Sequence, residues 1–340
     1  MKVLRFLLFP FAILYDFVTR IRNIFFDIGF FKETLFKIPV IVVGNLNMGG
    51  TGKTPQIEYL IRLLEINFKT AVLSRGYKRK TAGFMLLNKN HAAEAVGDEP
   101  LQYFKKFKNI NVAVDTNRVV GIANLISLVN PALVLLDDAF QHRKVKGSFY
   151  ILLTKYDDLF VDDFLLPTGN LRENKHGAKR SDVILVTKCP ENLSGNERNL
   201  IQQKLSKFNK KVFFTYISYA DKILGAVEMP TSELKNFEVL LITGIANPIP
   251  FINYLKSLDV KFQHLKYADH HHFSENEIID IQKRFDEIES SKIILTTEKD
   301  YVRLSNTLKN VSYLPIETSF LNNENKVFNA LISQHLKENI

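Results

Sequence analysis

The sequence has a single cysteine, Cys189, in 340 residues, which excludes an internal disulfide framework and suits a reducing cytosolic compartment. Long apolar runs are also missing. The uncharged stretch from Phe6 to Tyr15 is too short to span a bilayer, and Pro10 interrupts it. The sequence contains no internal repeat, low-complexity tract, zinc-finger spacing or RNA-binding aromatic signature. We therefore expect no nucleic-acid partner.

The chain instead carries an excess of basic residues. Its 45 Lys and Arg against 36 Asp and Glu give a net charge of +9, and its pI is near 9.3. Such a balance predicts an anionic partner, either a membrane surface or a phosphorylated substrate. The hydrophobic fraction of 46% is ordinary for a globular protein, and the length allows two domains with substantial cores.

The N-terminal segment is dense in Phe, Leu and Ile. Lys2 and Arg5 precede its apolar run, as in a signal peptide, but Asp16 and Arg20 follow where a small-residue cleavage site would stand. Two interpretations stay open on these residues alone. The apolar side chains insert at a lipid boundary while the basic residues meet headgroups, or the segment is an amphipathic helix packed on the protein's own core.

The stretch VIVVGNLNMGGTGKTPQ, residues 40–56, has the sequence of a phosphate-binding loop between a buried strand and a helix. It departs from G-x-x-x-x-G-K-[ST] because Asn47 stands where the first glycine belongs. The Gly-Gly doublet resembles the GG-x-GK loop of one branch of P-loop ATPases, although Met48 replaces the signature lysine of that variant. Lys53 would reach the outer phosphates, and the Thr54 hydroxyl would ligate Mg²⁺. We expect ATP to be held by Asn47, Met48, Gly49, Gly50, Thr51, Gly52, Lys53 and Thr54.

Short β-branched runs alternate with helical periodicity from Pro39 onward, which predicts an α/β fold with a parallel sheet. The predicted strands include IPVIVVGN, KTAVLSRGY, PALVLLDD, SFYILLT, SDVILVTK, FEVLLITGI and SKIILTTEKD. A polar stretch around residues 192–222 suggests a connector. We therefore expect a membrane-interface segment (1–37), a P-loop ATP-binding domain (38–190), a connector (191–225) and a second, smaller α/β lobe (226–340), with a cleft between the lobes.

A Mg²⁺-binding carboxylate is expected at the end of a strand near the loop. The run ALVLLDD supplies Asp137 and Asp138 directly after an apolar strand, and we assign Asp138 to the metal. An Asp pair in this position is otherwise a turn or a helix cap. Guanine-specific proteins carry an Asn/Thr-Lys-x-Asp segment after a strand, whereas this chain has Pro190 in the place of that aspartate. ATP is therefore expected rather than GTP.

Several segments together resemble the tetraacyldisaccharide 4'-kinase family, the lipid A kinases of Gram-negative bacteria. In order they are GNLNMGGTGKTP, LSRGYKRK, GDEP, LLDDAFQHRK, LLPTGNLRE, ADHHHFS and LTTEKD, and they run from about residue 42 to residue 300. One departure is Ala139, where the family has glycine in DDGFQH; alanine fits if that backbone keeps a negative φ. The resemblance implies transfer of the ATP γ-phosphate to the 4'-hydroxyl of a tetraacylated glucosamine disaccharide 1-phosphate.

The resemblance also implies roles for individual residues. Asp98 would be the general base, and His270 would pair with it and tune its basicity. Glu173 would contact Mg²⁺ together with Thr54 and Asp138. A contiguous His run on an extended chain cannot chelate one ion, so we do not expect a metal at residues 270–272. Candidate contacts for the disaccharide, its phosphate or lipid headgroups are Arg75, Arg79, Gln141, His142, Asn170 and Arg172.

The resemblance further implies a location and partners. The protein would act at the cytoplasmic face of the bacterial inner membrane, with residues 1–37 touching anionic lipid, and a monomer is expected. Two rivals remain. A soluble small-molecule kinase or ligase of the same P-loop branch would not need its N-terminus, and a nucleotide-switch metallochaperone would need spaced Cys or His ligands, which one cysteine and a contiguous His run do not supply.

Overall fold

The structure is a computed structural model that describes residues 5–269 and 271–340. Its helices are α1 (Phe9–Asp27), α2 (Lys53–Leu64), α3 (Ala93–Val96), α4 (Asp98–Lys106), α5 (Arg118–Val129), α6 (Gly195–Leu205), α7 (Ile249–Ser257), α8 (Glu275–Asp286), α9 (Glu298–Leu304) and α10 (Asn325–Asn339). Short 3-10 turns occur at Phe160–Asp162, Lys175–Arg180, Ser206–Phe208, Thr231–Asn236 and Leu321–Asn323. The predicted helix after the glycine-rich loop begins at Lys53 and buries the apolar residues Ile57, Leu60, Ile61 and Leu64.

The strands confirm the predicted α/β class. They are β1 (Thr34–Leu35), β2 (Val40–Asn45), β3 (Thr70–Ser74), β4 (Met85–Leu86), β5 (Asn111–Val114), β6 (Leu133–Asp137), β7 (Val145–Lys146), β8 (Phe149–Lys155), β9 (Val183–Thr187), β10 (Lys211–Tyr219), β11 (Lys222–Gly225), β12 (Met229–Pro230), β13 (Glu238–Thr243), β14 (Lys261–Lys266), β15 (Lys292–Thr297), β16 (Val311–Leu314) and β17 (Ile316–Phe320).

The larger sheet positions the site. Among the described residues it has nine strands in the order β17-β10-β9-β8-β2-β6-β3-β5-β4, and its central strands are parallel. Strands β2, β3, β6 and β9 are buried along their whole length, which is why they read as continuous apolar runs. Their carboxyl ends meet at one edge of the sheet, where ligands of such folds bind.

Two segments lie elsewhere than we expected. Strand β10, from the predicted connector, is part of the larger sheet, where it pairs in parallel with β9. Residues 316–339, which we assigned to the second lobe, also return to the larger sheet: β17 pairs antiparallel with β10, and Phe328, Ile332 and Leu336 of α10 join its core. The physical reason is aromatic packing, since Phe328 of α10 contacts Phe213 of β10 and Phe320 of β17 in the core of the larger sheet.

The second, smaller sheet has the order β12-β11-β16-β15-β13-β14 in the described part of the chain, with β14, β13, β15 and β16 parallel. It is an insertion between β10 and β17. The chain leaves the larger sheet after Tyr219 and returns at Ile316. At this crossing the Ala220 amide donates to the Pro315 carbonyl at 3.0 Å, so the two connections lie side by side.

Helix α1 is docked on the protein by its polar side chains. The Tyr15 hydroxyl donates to the Arg172 carbonyl at 2.7 Å, and Asn23 donates to Glu173 at 3.1 Å. Its other side is apolar and exposed, with Phe11, Leu14, Phe17 and Val18 each about 60% accessible. No helix in residues 5–269 and 271–340 combines the length and the hydropathy needed to cross a bilayer.

Candidate active site

The glycine-rich loop joins β2 to α2 at the carboxyl edge of the larger sheet. Gly49 and Gly52 have φ values of +110° and +82°, in the left-handed region that favours glycine, and Gly52 is the N-cap of α2. The loop is fixed from the neighbouring strand because the Thr187 hydroxyl donates to the Thr51 carbonyl at 2.8 Å. The first amides of α2 have no acceptor within the helix, and amides of this kind bind phosphate in other proteins.

Asn47 has a structural role in this loop. Its side-chain amide donates to Asp163 at 3.1 Å, and its carbonyl accepts from the Asn45 side chain at 2.7 Å. The adjoining Met48 amide donates to the Asn170 carbonyl at 2.7 Å. These bonds tie the loop to residues 163–172, which explains why an asparagine can replace the usual glycine here. They place Asn170 beside the loop through its backbone.

Lys53 and Arg172 converge on the same two partners. Lys53 donates to the Asn45 side-chain oxygen at 3.2 Å and lies 3.5 Å from Asp138. Arg172 donates to the same Asn45 oxygen at 2.7 Å and to Asp138 at 3.0 Å. A second lysine lies near, because the Lys188 ammonium is 3.8 Å from the position that a Cβ on Gly50 would take. The loop is thus surrounded by cations.

The two adjacent aspartates differ in environment. Asp137 ends β6 and is 5% exposed; one oxygen accepts from Ser74 at 3.2 Å and from Tyr103 at 3.4 Å, while Oδ1 has no hydrogen-bond partner among the described residues. Burial, reinforced by the charge of Asp138, raises the pKa of Asp137 to about 6. Burial alone would also raise the pKa of Asp138, but Lys53 and Arg172 outweigh it, so that pKa is lowered.

The backbone conformation after β6 shows whether alanine can replace the family's glycine at position 139. The residue with the left-handed backbone is Asp138, at φ +48°, whereas Ala139 is not among the described residues with positive φ. Alanine therefore fits there without strain, as expected. An aspartate in the left-handed region is tolerated better than most residues and marks a position where the surrounding structure fixes the side chain.

Glu173 is paired with an arginine. It is 3% exposed, and both of its oxygens lie 2.8 Å from Arg180. It also accepts from Gln141 at 3.1 Å, and Gln141 donates in turn to the Asn45 carbonyl at 2.9 Å. The structure thus links Glu173 to the Lys53–Asp138 group through Gln141, and its metal role remains a prediction.

A cavity of about 970 Å³ adjoins this group. One wall comes from α1 and the residues after it, including Arg22, Phe26 and Phe31, and the other from residues 116–119 and 141–145. His142 lines it, and burial together with Arg118 and Arg75 lowers the pKa of His142 to about 4. The cavity is therefore both basic and aromatic, and His142 is neutral near pH 7.

The two candidate arginines of SRGYKRK lie in different surroundings. Arg75 is exposed at the end of β3 and near enough to Arg118 and His142 to lower the pKa of both. Arg79 folds back on its own loop, where it donates to the Gly83 carbonyl at 2.6 Å and packs on Gly76. The structure thus brings Arg75, but not Arg79, to the cavity's charged end.

Asp98 begins α4 and is 4% exposed. Gly97 before it has φ +94°, and a Cβ there would lie 3.1 Å from the backbone of Gly76, so the GDEP and SRGY loops meet backbone to backbone. Tyr103, on the same helix, reaches Asp137 and Thr54, which connects Asp98's helix to the phosphate end of the site. His270 lies outside the described residues.

Several residues around the site carry no sequence signal. Arg118 is 2% exposed and lines the cavity, and its Nε and Nη2 have no partner among the described residues. The sequence does not distinguish Asn45 and Tyr103 from other strand and helix residues, and only the fold places them near the loop. Lys188 does have a sequence signal, because it follows a predicted strand as part of a Thr-Lys pair. In the sequence analysis that pair served only as an argument against guanine.

A glycine-rich strand–loop–helix unit with adjoining lysine and paired aspartates defines a P-loop nucleotide-binding protein. Residues 4–337 match the family model described as tetraacyldisaccharide-1-P 4'-kinase, and the chain belongs to that family. It is 55% identical to the tetraacyldisaccharide 4'-kinase of Flavobacterium psychrophilum, over 98% of this chain and 97% of the relative. The relative of the same name from Bacteroides thetaiotaomicron is 43% identical over 98% of this chain and 93% of its own length.

A solved structure has the same fold over nearly the whole chain. The crystal structure of the "apo" form of LpxK from Aquifex aeolicus in complex with ATP is 31% identical, with a TM-score of 0.80. The match covers 98% of this chain and 99% of that one. The α/β architecture and the two sheets are therefore those of this kinase family.

Proposed function

We propose that this protein phosphorylates the 4'-hydroxyl of a tetraacylated glucosamine disaccharide 1-phosphate with ATP, as the names of its relatives indicate. The observation that carries the proposal is the geometry at the glycine-rich loop, where Lys53 faces Asp138 at 3.5 Å beside the N-terminus of α2. In a chain that matches this kinase family from residue 4 to residue 337, that arrangement is the donor half of a phosphotransferase.

The ATP phosphates would lie along the loop. Amides of residues 49–54 and the start of α2 would bind the phosphate oxygens, and Lys53 would neutralise charge on the outer phosphates. Arg172 and Lys188 border the same space and would contribute further positive charge. Contacts with Asn45 and Asp138 fix the position of the Lys53 ammonium beside the loop.

The residues present fit Mg²⁺. The Thr54 hydroxyl, Asp138 and the unpartnered Oδ1 of buried Asp137 are hard oxygen donors, the type that Mg²⁺ prefers. Within the described part of the chain no group of three His, Cys, Asp or Glu side chains could hold a metal ion. When bound, Mg²⁺ would offset the negative charge that develops during transfer.

Asp98 would accept the proton of the sugar hydroxyl. As the bond between O4' and the γ-phosphorus forms, the bond from that phosphorus to the β–γ bridging oxygen breaks, and ADP leaves. The proton of the 4'-hydroxyl passes to the Asp98 carboxylate, with His270 proposed as its partner from the second lobe. Asp98 is buried next to α9, which keeps bulk water away from this end of the site.

The cavity beside α1 would receive the acceptor's sugar headgroup and 1-phosphate. Arg22, Arg118 and Arg75 supply positive charge there, and Phe26 and Phe31 supply aromatic surface. The exposed apolar side of α1 would lie in the lipid boundary on the cytoplasmic face of the inner membrane, where the acyl chains are. The net charge of +9 supports binding to an anionic surface.

The proposal is tested by supplying the purified protein with γ-labelled ATP, Mg²⁺ and the disaccharide lipid in detergent. We expect a labelled lipid whose mass increases by one phosphate and whose label is absent when the acceptor already carries a 4'-phosphate. A matched reaction without lipid measures ATP hydrolysis alone. Label transferred to a soluble small molecule, with none on the lipid, would favour the small-molecule kinase instead.

A further inference from the structure

Arg303 connects the second lobe to the proposed base. It lies on α9, and its Nε donates to Oδ1 of Asp98 while its Nη2 donates to Oδ2, both at 2.7 Å. The two residues are 205 positions apart in the chain, and their side chains are only 11% and 4% exposed. A guanidinium that contacts both carboxylate oxygens fixes the plane of the carboxylate as well as its position.

Arg303 is itself anchored within its own lobe. Its Nη1 donates to the His271 carbonyl at 2.6 Å, which ties it to the segment that follows the proposed partner histidine. Asp98 is held from the other side by the backbone contact of Gly97 with Gly76. The carboxylate is therefore positioned by one lobe and oriented by the other.

We propose that Arg303 is a positioning residue for phosphoryl transfer, whose paired hydrogen bonds orient the Asp98 carboxylate toward the acceptor hydroxyl. The inference rests on the proposed role of Asp98 as the base. The two bonds from Arg303 reach both carboxylate oxygens, so they fix the direction in which Asp98 faces the acceptor hydroxyl. Arg303 would act through Asp98 and would not touch the nucleotide.

The helix contact between α4 and α9 does not depend on this pair. Lys105 donates to the Val302 carbonyl at 3.2 Å, and Lys106 lies 2.8 Å from Glu298. Buried ion pairs gain little stability relative to apolar side chains of similar size, because desolvation offsets their attraction. Because other contacts already join these helices, a buried pair at the proposed base is better explained by orientation of the carboxylate than by adhesion of the lobes.

The test compares Arg303→Met with Arg303→Lys. We expect Arg303→Met to lower kcat by about 10- to 100-fold with the KM for ATP unchanged, because a misoriented catalytic group affects the chemical step. Lysine keeps the charge but makes no planar pair of bonds, so Arg303→Lys should recover only part of the loss. Lys105→Met, which removes a contact across the same two helices without touching Asp98, is the matched control and should keep kcat.

A double-substitution cycle separates this inference from the proposed function. If Arg303 acts through Asp98, adding Arg303→Met to Asp98→Asn should cause no further loss of kcat. Losses that multiply would overturn the positioning role, as would a wild-type kcat in Arg303→Met while Asp98→Asn is inactive. If instead Asp98→Asn keeps full activity, the base assignment itself fails. Urea unfolding of each variant shows whether a loss of kcat arises from unfolded protein.

Discussion

The two ends of the active site are built in different ways. The nucleotide end is made by one lobe: Lys53, Asp138 and Asn45 all follow or end strands of the larger sheet, and Lys53 contacts the other two directly. The acceptor end is assembled from distant parts of the chain, with α1 lining the cavity and Arg303 of the second lobe holding Asp98. If the proposed roles are right, donor binding would need one lobe, whereas acceptor activation would need both lobes and α1.

Lys53→Ala should have the largest effect, because it removes the cation that one lobe directs at the outer phosphates. We expect turnover to fall by about 10²- to 10³-fold, the range seen when one preorganised charge-stabilising donor is removed. Steady-state kinetics with ATP and lipid measure it. Lys69→Ala, an exposed lysine just before β3 at the opposite edge of the sheet, is the control and should leave turnover unchanged. Full activity in Lys53→Ala would mean that the nucleotide binds elsewhere.

Asp137→Asn and Asp138→Asn compare two adjacent carboxylates of the nucleotide end whose pKa values shift in opposite directions. A carboxyl whose pKa is raised on folding contributes stability below its unfolded pKa, near 3.8, and that contribution is lost as the pH rises through about 6. Without nucleotide or metal, Asp137→Asn should therefore be more stable than the parent at pH 8, by up to about 3 kcal/mol, with the difference shrinking toward pH 4.

The contribution of Asp138 to stability depends on pH in the opposite direction. Its pKa is lowered on folding, so its contribution is present above its unfolded pKa and is lost as the pH falls through its folded pKa. Asp138→Asn should lose stability at pH 8, in contrast to its neighbour. Urea unfolding at pH 4 and pH 8 measures both variants. A destabilised Asp137→Asn at pH 8 would show that the ionised carboxylate is satisfied inside the protein and would contradict the burial argument.

Substitutions on α1 test the membrane part of the acceptor end and have the smallest expected effect. Leu14→Ser and Phe17→Ser remove exposed apolar side chains, and each should weaken binding to anionic vesicles by about tenfold, since burying one such side chain is worth about 1.5 kcal/mol or more. Vesicle flotation measures this. The exposed Leu200 of α6 offers the control Leu200→Ser. Wild-type flotation of both α1 variants would leave α1 as a helix that only packs on the protein.

The sequence allowed the nucleotide end to be predicted more fully than the acceptor end. The loop, Lys53 and the Asp pair follow buried strands whose apolar runs are visible, and parallel strands bring their carboxyl ends together. Arg303 and Arg118 could not be found this way, because their roles depend on packing between elements far apart in the chain. The placement of β17 and α10 was missed for the same reason: strand periodicity does not reveal which sheet a strand joins.

The bond between Ala220 and Pro315 has a mechanical consequence. A lobe attached through one linker can swivel freely, whereas the smaller lobe is attached by two short adjoining connections that restrain each other. Two adjoining connections would resist twisting and sliding of the smaller lobe more than bending about the line that joins them. Such a joint would keep α9 in register with α4, and so keep Arg303 aligned with Asp98.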